Sequence, residues 1–222
     1  WPPAKGHGTF TGNRSLSDED IAKIVSWSDA DAPSGDLSQA PPPPTFPKGS
    51  QLGTPDLVLT MSETWTVRGN NKDVYRFFVL PTKLLQDRNI KALEFRPGNA
   101  SVVHHVLYFL DTTGTARDKD AADPLPGYSG FGDPGFTSAG SFLGWVPGAQ
   151  TRFYPPTIGA RMYANSDLVI QVHYAPSKAE QTDQSHVNVF FQENESVRQV
   201  QEFAMSPRNL PTGTNFIIAA NK

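Results

Sequence analysis

From Asp56 onward the chain is a succession of short apolar runs, mostly β-branched or aromatic and each bounded by turn residues, and this pattern narrows its fold more than any other feature. The runs are Leu57 to Met61, Thr64 to Val67, Val74 to Leu80, Ile90 to Phe95, Val102 to Leu110, Leu168 to Tyr174, Val187 to Gln192 and Val197 to Phe203. Eight strand-sized runs predict an all-β fold, an antiparallel β-sandwich of jelly-roll-like type. The 20 prolines and 18 glycines suit a turn-rich β protein better than a helical bundle. Between Asp111 and Asp167 lies a Gly- and Pro-rich stretch, predicted to be a long loop with a functional or capping role.

Ahead of the runs the pattern changes. Ser17 stands three residues before Asp20, and Ile21, Ile24, Val25 and Ser28 follow at helical spacing, which predicts one short amphipathic helix over 17–28. Ala32 to Asp36 breaks that helix, and Pro41 to Pro44 with Pro47 make a stiff, extended linker. The organisation expected is a segment with helix and linker over 1–54, the sandwich over 55–205, and an onward connection over 206–222.

Several function classes lose support at once. Net charge is −3, from 19 basic and 22 acidic residues, and no window concentrates Lys and Arg as a phosphate-binding surface does, so nucleic acid is not an expected partner. The longest apolar runs, Phe77 to Leu80 and Val106 to Leu110, fall far short of the roughly 20 residues of a membrane-crossing helix. With no cysteine there is no disulfide, no thiolate metal site and no C-x-x-C-H attachment for haem. Neither G-x-S-x-G nor a phosphate-cradling glycine loop is present, which leaves hydrolase and kinase readings unsupported. The chain opens at Trp1 with neither an initiator Met nor a signal peptide, so an upstream part is expected to have been removed.

The chemistry-bearing residues are the five histidines: His7, His104, His105, His173 and His186. His104 and His105 are adjacent inside Ser101 to Leu110, and His173 nearly closes the run Leu168 to Tyr174. Alternation along a strand sends Leu168, Ile170, Val172 and Tyr174 inward and Val169, Gln171 and His173 outward. The same alternation separates His104 from His105, so only a bulge or sharp twist there brings both rings to one ion. Imidazoles on apolar strands are commonly satisfied core or surface residues. Against that reading, neutral imidazole is a strong ligand for copper and zinc, and no carboxylate or thiolate lies in either run. An all-nitrogen set with an open position favours copper, and neutral ligands with few charges nearby favour its reduced state. His7 sits in a flexible Lys5 to Gly8 stretch and His186 reads as a surface residue at a strand start. Trp145 reads as an aromatic that packs the long loop rather than a shield for a metal.

The segment Phe95 to Asp111 together with Asp167 to Tyr174 resembles the N-terminal domain of the copper type II ascorbate-dependent monooxygenases, the family of peptidylglycine α-hydroxylating monooxygenase and dopamine β-monooxygenase. The likeness spans roughly Asp56 to Asn194. It implies one electron-storing copper ion per chain, bound by His104, His105 and His173. It also implies a second, oxygen-activating copper in a following domain, held by His-x-His and a Met. This chain has no His-x-His, and Met61, Met162 and Met205 have no such neighbour, so the expectation is an incomplete hydroxylase whose residues from Arg198 to Lys222 lead toward a missing domain. Vertebrate members depend on disulfides; without Cys this sandwich is expected to hold by packing alone.

Trp1 to Asp36 resembles the tail of a bacterial cytochrome c-type domain, whose haem motif lies upstream. That likeness implies a bacterial, secreted fusion in the periplasm or outside the cell, with haem passing electrons to copper. Two other readings stay open on the residues alone. One is an interaction module with no redox metal; the other is a zinc site of three histidines and a water, which needs the same geometry.

Overall fold

The strand Asp167–Tyr174 is buried at every one of its eight residues, and the fold is built outward from it. The computed structural model describes residues 6, 8–9, 13–45, 49–140, 142–194 and 197–201. By its contacts the chain divides into two units, Trp1–Phe46 and Pro47–Lys222.

The first unit contains α1 (Asp18–Asp29) and a single 3₁₀ turn, Leu37–Gln39. Ser17 caps the helix as its spacing to Asp20 predicts: its Oγ accepts from the Asp20 backbone N–H at 3.0 Å and donates to the Asp20 carboxylate at 2.6 Å. The Asp36 carboxylate caps the 3₁₀ turn by accepting from Ser38.

The second unit is a β-sandwich. Its strands are β1 (Leu57–Thr60), β2 (Trp65–Val67), β3 (Val74–Pro81), β4 (Arg88–Arg96), β5 (Val103–Asp111), β6 (Tyr128–Ser129), β7 (Gly144–Trp145), β8 (Ile158–Met162), β9 (Asp167–Tyr174), β10 (Gln181–Asp183), β11 (His186–Phe191) and β12 (Arg198–Gln199). One five-stranded sheet has the order β1-β11-β4-β8-β12 and the other β6-β3-β9-β5-β7, with β10-β2 as a separate ribbon. Pairing is antiparallel except between β8 and β12.

Between the sheets lies one core. Phe78, Leu80, Val106, Leu110, Leu168, Ile170 and Val172 pack from one side against Leu59, Ile90, Phe95, Val187, Val189 and Phe191 from the other. Burial of each such side chain stabilises the fold by roughly 1.5–3 kcal/mol, which is how a chain without disulfides holds the two sheets together.

The outer face of the second sheet is covered as well, which alternation alone does not reveal. Phe77, Val79 and Val169 point outward and are buried with Ala116 and Tyr128. The cover comes from the stretch predicted to be a long loop, which holds α2 (Thr115–Ala122), β6, β7 and β8. Asp111 starts α2 by accepting from the backbone N–H groups of Thr113 and Ala116, both at 2.7 Å, and Arg117 forks onto Asp167 at 2.6 and 2.7 Å. Arg76 fastens the next segment: it donates to the Asp123 carboxylate at 2.8 Å and to the carbonyls of Leu125, Pro126 and Gly127. Gly127, at φ 70°, lies so close over the Phe77 carbonyl that a Cβ there has no room.

The strands Leu57–Thr60, Trp65–Val67, Val74–Pro81, Arg88–Arg96, Val103–Asp111, Asp167–Tyr174 and His186–Phe191 match predicted runs within a few residues. The run expected over Val197 to Phe203 is described only as far as residue 201 and pairs at Arg198–Gln199; the expected connection over 206–222 lies outside the described residues. No helix among the described residues is long and apolar enough to cross a membrane.

Candidate metal centre

Three strands bring the site together through their register. Across the second sheet Tyr75 of β3 pairs with His173 of β9, and His173 pairs with His105 of β5. All three therefore stand in one row on the same face. His104 joins them because the ladder slips: Val103 pairs with Tyr174 and His105 with His173, neighbours on β9, leaving His104 as the extra residue of a bulge. Two residues opposite one leave the strand's alternation broken at that point, and the two rings turn to a common side.

The result is a nearly equilateral triangle of ring nitrogens. The Nδ1 atoms of His104 and His105 are 3.1 Å apart, those of His104 and His173 3.1 Å, and those of His105 and His173 3.2 Å. Hydrogen bonds alone cannot satisfy such a triangle. Each Nδ1 carries either a proton or an in-plane lone pair, so among three at least two play the same role and oppose one another. A cation at the centre removes the conflict. Points 3.1–3.2 Å apart lie about 1.8 Å from their common centre, close enough for one ion to reach all three nitrogens at the imidazole–metal distance of about 2.0–2.1 Å. The three histidines can hold a metal ion.

Exposure is graded around the triangle: His104 is exposed, His105 half-buried and His173 buried. The open side is thus at His104, where solvent or a further ligand reaches the centre. Burial, and then the neighbouring His173 and His104 rings, push the His105 imidazole below its ordinary value, which favours the neutral form that binds metals.

His173 is the most constrained of the three. Its Nε2 donates to Asp73 Oδ1 at 2.6 Å, and the Tyr75 ring stacks on it at 4.1 Å between centroids with an 11° interplanar angle. Phe131 closes edge-on against Tyr75 at 4.7 Å. The Gly130 carbonyl beside Phe131 accepts from Gln171 Nε2 at 3.2 Å, so the polar neighbour of His173 on β9 ties down the covering loop.

His173 lies on the outer face, as alternation predicts, but that face is covered there and the residue is only 7 % exposed. The expectation of few charges near the trio is corrected by Asp73, whose carboxylate is one hydrogen bond from a ring of the triangle. His186, expected at the surface, is half-buried at the start of β11 in the opposite sheet, where burial and then Arg96 lower its imidazole from the ordinary value. His7 lies outside the described residues. Trp145 packs the loop, with its ring 5.0 Å from Phe95 toward the inter-sheet core. Tyr174 faces that core and donates its hydroxyl to Asp183 at 2.8 Å, and Tyr108 is buried there too, so neither belongs to the centre. Asp73, Tyr75 and Phe131 have no sequence signal of their own; Tyr75, and Asp73 just ahead of it, are placed by the β3–β9 register, and Phe131 by the pairing of β6 with β3. Compared with protein-family models and with curated proteins, the chain matches none.

Proposed function

We propose that His104, His105 and His173 bind one copper ion and that this sandwich is the electron-storing half of a bacterial copper monooxygenase of the ascorbate-dependent type. The observation that carries the reading is the Nδ1 triangle, whose sides of 3.1–3.2 Å suit a single first-row ion. The donor set is entirely nitrogen, and copper stands highest among first-row divalent ions in affinity for such sites. Bound copper supplies a one-electron couple between Cu(I) and Cu(II). The protein's part is to hold the rings at fixed separations from two neighbouring strands, to cover His173 with Tyr75, and to leave the His104 side open for electron exchange.

Hydroxylation is then completed by a second copper domain that follows in the parent chain, and a cytochrome c domain upstream passes electrons to this centre. Both partners rest on the resemblance of the two histidine segments and of residues 1–36, as does a periplasmic or extracellular location. The protein is on this reading one half of an enzyme.

A zinc site is the second reading, favoured by the Asp73 carboxylate behind His173, an arrangement common behind zinc-bound histidines. Metal analysis of the purified chain, followed by copper titration monitored by paramagnetic resonance, separates the two. The copper reading expects one Cu per chain and a signal with imidazole nitrogen splitting that His173→Ala removes. Zinc at one equivalent that excess copper does not displace, or a His173→Ala chain that binds copper as well as the parent, overturns it.

A further inference from the structure

We infer that Asp73 is a positioning residue that stabilises the oxidised ion over the reduced one at this centre, an inference that rests on the copper reading above. His173 turns one nitrogen, Nδ1, to the triangle, and its other nitrogen lies 2.6 Å from Asp73 Oδ1. An ionised carboxylate accepts and cannot donate, so this bond holds the ring proton on Nε2 and leaves the Nδ1 lone pair facing His104 and His105. Tyr75, stacked 11° from parallel, fixes the plane in which that lone pair points. Among the described residues, His173 is the only ring of the three with a hydrogen bond at its outer nitrogen.

The bond does more than orient. It reaches a side chain that is 9 % exposed from one that is 53 % exposed, so the charge enters a partly dehydrated site from its rim. A carboxylate accepting from the far nitrogen makes the ligating nitrogen more basic. The two oxidation states of copper differ by one positive charge, and the more highly charged ion gains more from a more basic donor with an anion behind it. Three neutral imidazoles alone favour Cu(I). Asp73 opposes that preference, and it does so through one named ring.

Asp73→Asn tests this, since it keeps the size and an acceptor oxygen while removing the charge, and Asp73→Glu restores the charge. Asp73 is exposed just ahead of β3 and outside the core, so both variants are expected to fold as the parent does. Cu(I) and Cu(II) affinities are measured by chelator competition and the midpoint potential by spectroelectrochemistry on the same chains. In Asp73→Asn the Cu(II) affinity is expected to fall about 10- to 100-fold, with Cu(I) affinity affected less and the potential raised. A tenfold difference between the two losses corresponds to about 59 mV for a one-electron couple. Asp73→Glu is expected to recover part of the shift. An unchanged potential, whether because both affinities fall equally or because neither falls, overturns the inference. A wild-type chain that binds no copper is instead the failure of the copper reading. In that event cobalt(II), followed by its visible absorption, decides the Asp73 question: an affinity at least tenfold weaker in Asp73→Asn and recovered in Asp73→Glu supports a charge effect on the bound ion, and unchanged affinity overturns it.

Discussion

His105 and His173 face each other directly across the β5–β9 ladder with their Nδ1 atoms 3.2 Å apart, while the residue between His105 and Val103 pairs with nothing on β9. The centre is therefore a product of a single inserted residue. Had the ladder run without interruption, His104 would face the inter-sheet core and two rings would remain where three now meet.

Deletion of His104 is the sharpest expression of this. Val103 and His105 already pair with the adjacent residues Tyr174 and His173, so excising the bulge leaves a regular ladder. The expected outcome is cooperative thermal unfolding near that of the parent chain, with metal affinity lost. Loss of the folded state would show that the bulge supports the sandwich itself.

Metal binding should stabilise the fold by mass action. At free ion about 100 times the dissociation constant the gain is about 2.7 kcal/mol, visible as a rise in Tm. His173→Ala should abolish the rise while leaving the metal-free chain folded, because the Tyr75 ring and the covering loop retain their own partners. Calorimetry with and without added ion checks both statements.

How much of this was legible in the sequence follows from where each signal resides. The β5 and β9 runs announce themselves by β-branched and aromatic residues, and the need for an irregularity at His104–His105 follows from strand alternation alone. Asp73 does not announce itself: between Lys72 and Val74 it looks like any solvated charge, and its role depends on a pairing with residues a hundred positions away. Helix α2, Thr-Ala-Arg-Asp-Lys-Asp-Ala-Ala, is polar nearly all round and buries only Ala116, so it has no apolar stripe to read. Strand β8, Ile-Gly-Ala-Arg-Met, mixes a glycine and an arginine into a run too short to show a period, and β6 and β7 are two residues each. Of these, α2 and β6 cover the outer face through Ala116 and Tyr128, and the loop after β6 brings Phe131 against the Tyr75 ring that stacks on His173.

Acid should loosen that cover through Asp123. The hydrogen bond from Arg76, first among its causes, holds this carboxyl below the usual carboxylate value. A depressed folded-state value means the unfolded chain binds more protons, so the stabilisation is complete above about pH 4 and is lost as pH falls through the lowered value. Asp123→Asn should cost about 1–3 kcal/mol at neutral pH, because Arg76 is almost fully buried, and should flatten the decline in stability below pH 4. Chemical denaturation at several pH values reads both effects; a variant as acid-sensitive as its parent would remove Asp123 from the account.

Ile170→Ala separates the scaffold from the site. Ile170 is fully buried in the middle of β9 on the face opposite His173, and the cavity left by truncation is expected to cost about 2–5 kcal/mol. At temperatures where the variant is folded, its metal affinity should equal that of the parent, since no ring of the triangle touches the inner face. A parallel loss of affinity would mean that core packing sets the geometry of the centre.

The measurement that reaches the central claim most directly is anomalous diffraction at the copper edge from crystals of the copper-loaded chain. A single peak is expected within about 2.0–2.1 Å of the Nδ1 atoms of His104, His105 and His173 together. A peak bound to only one or two of these nitrogens, or to the outer nitrogens of the rings, would contradict it.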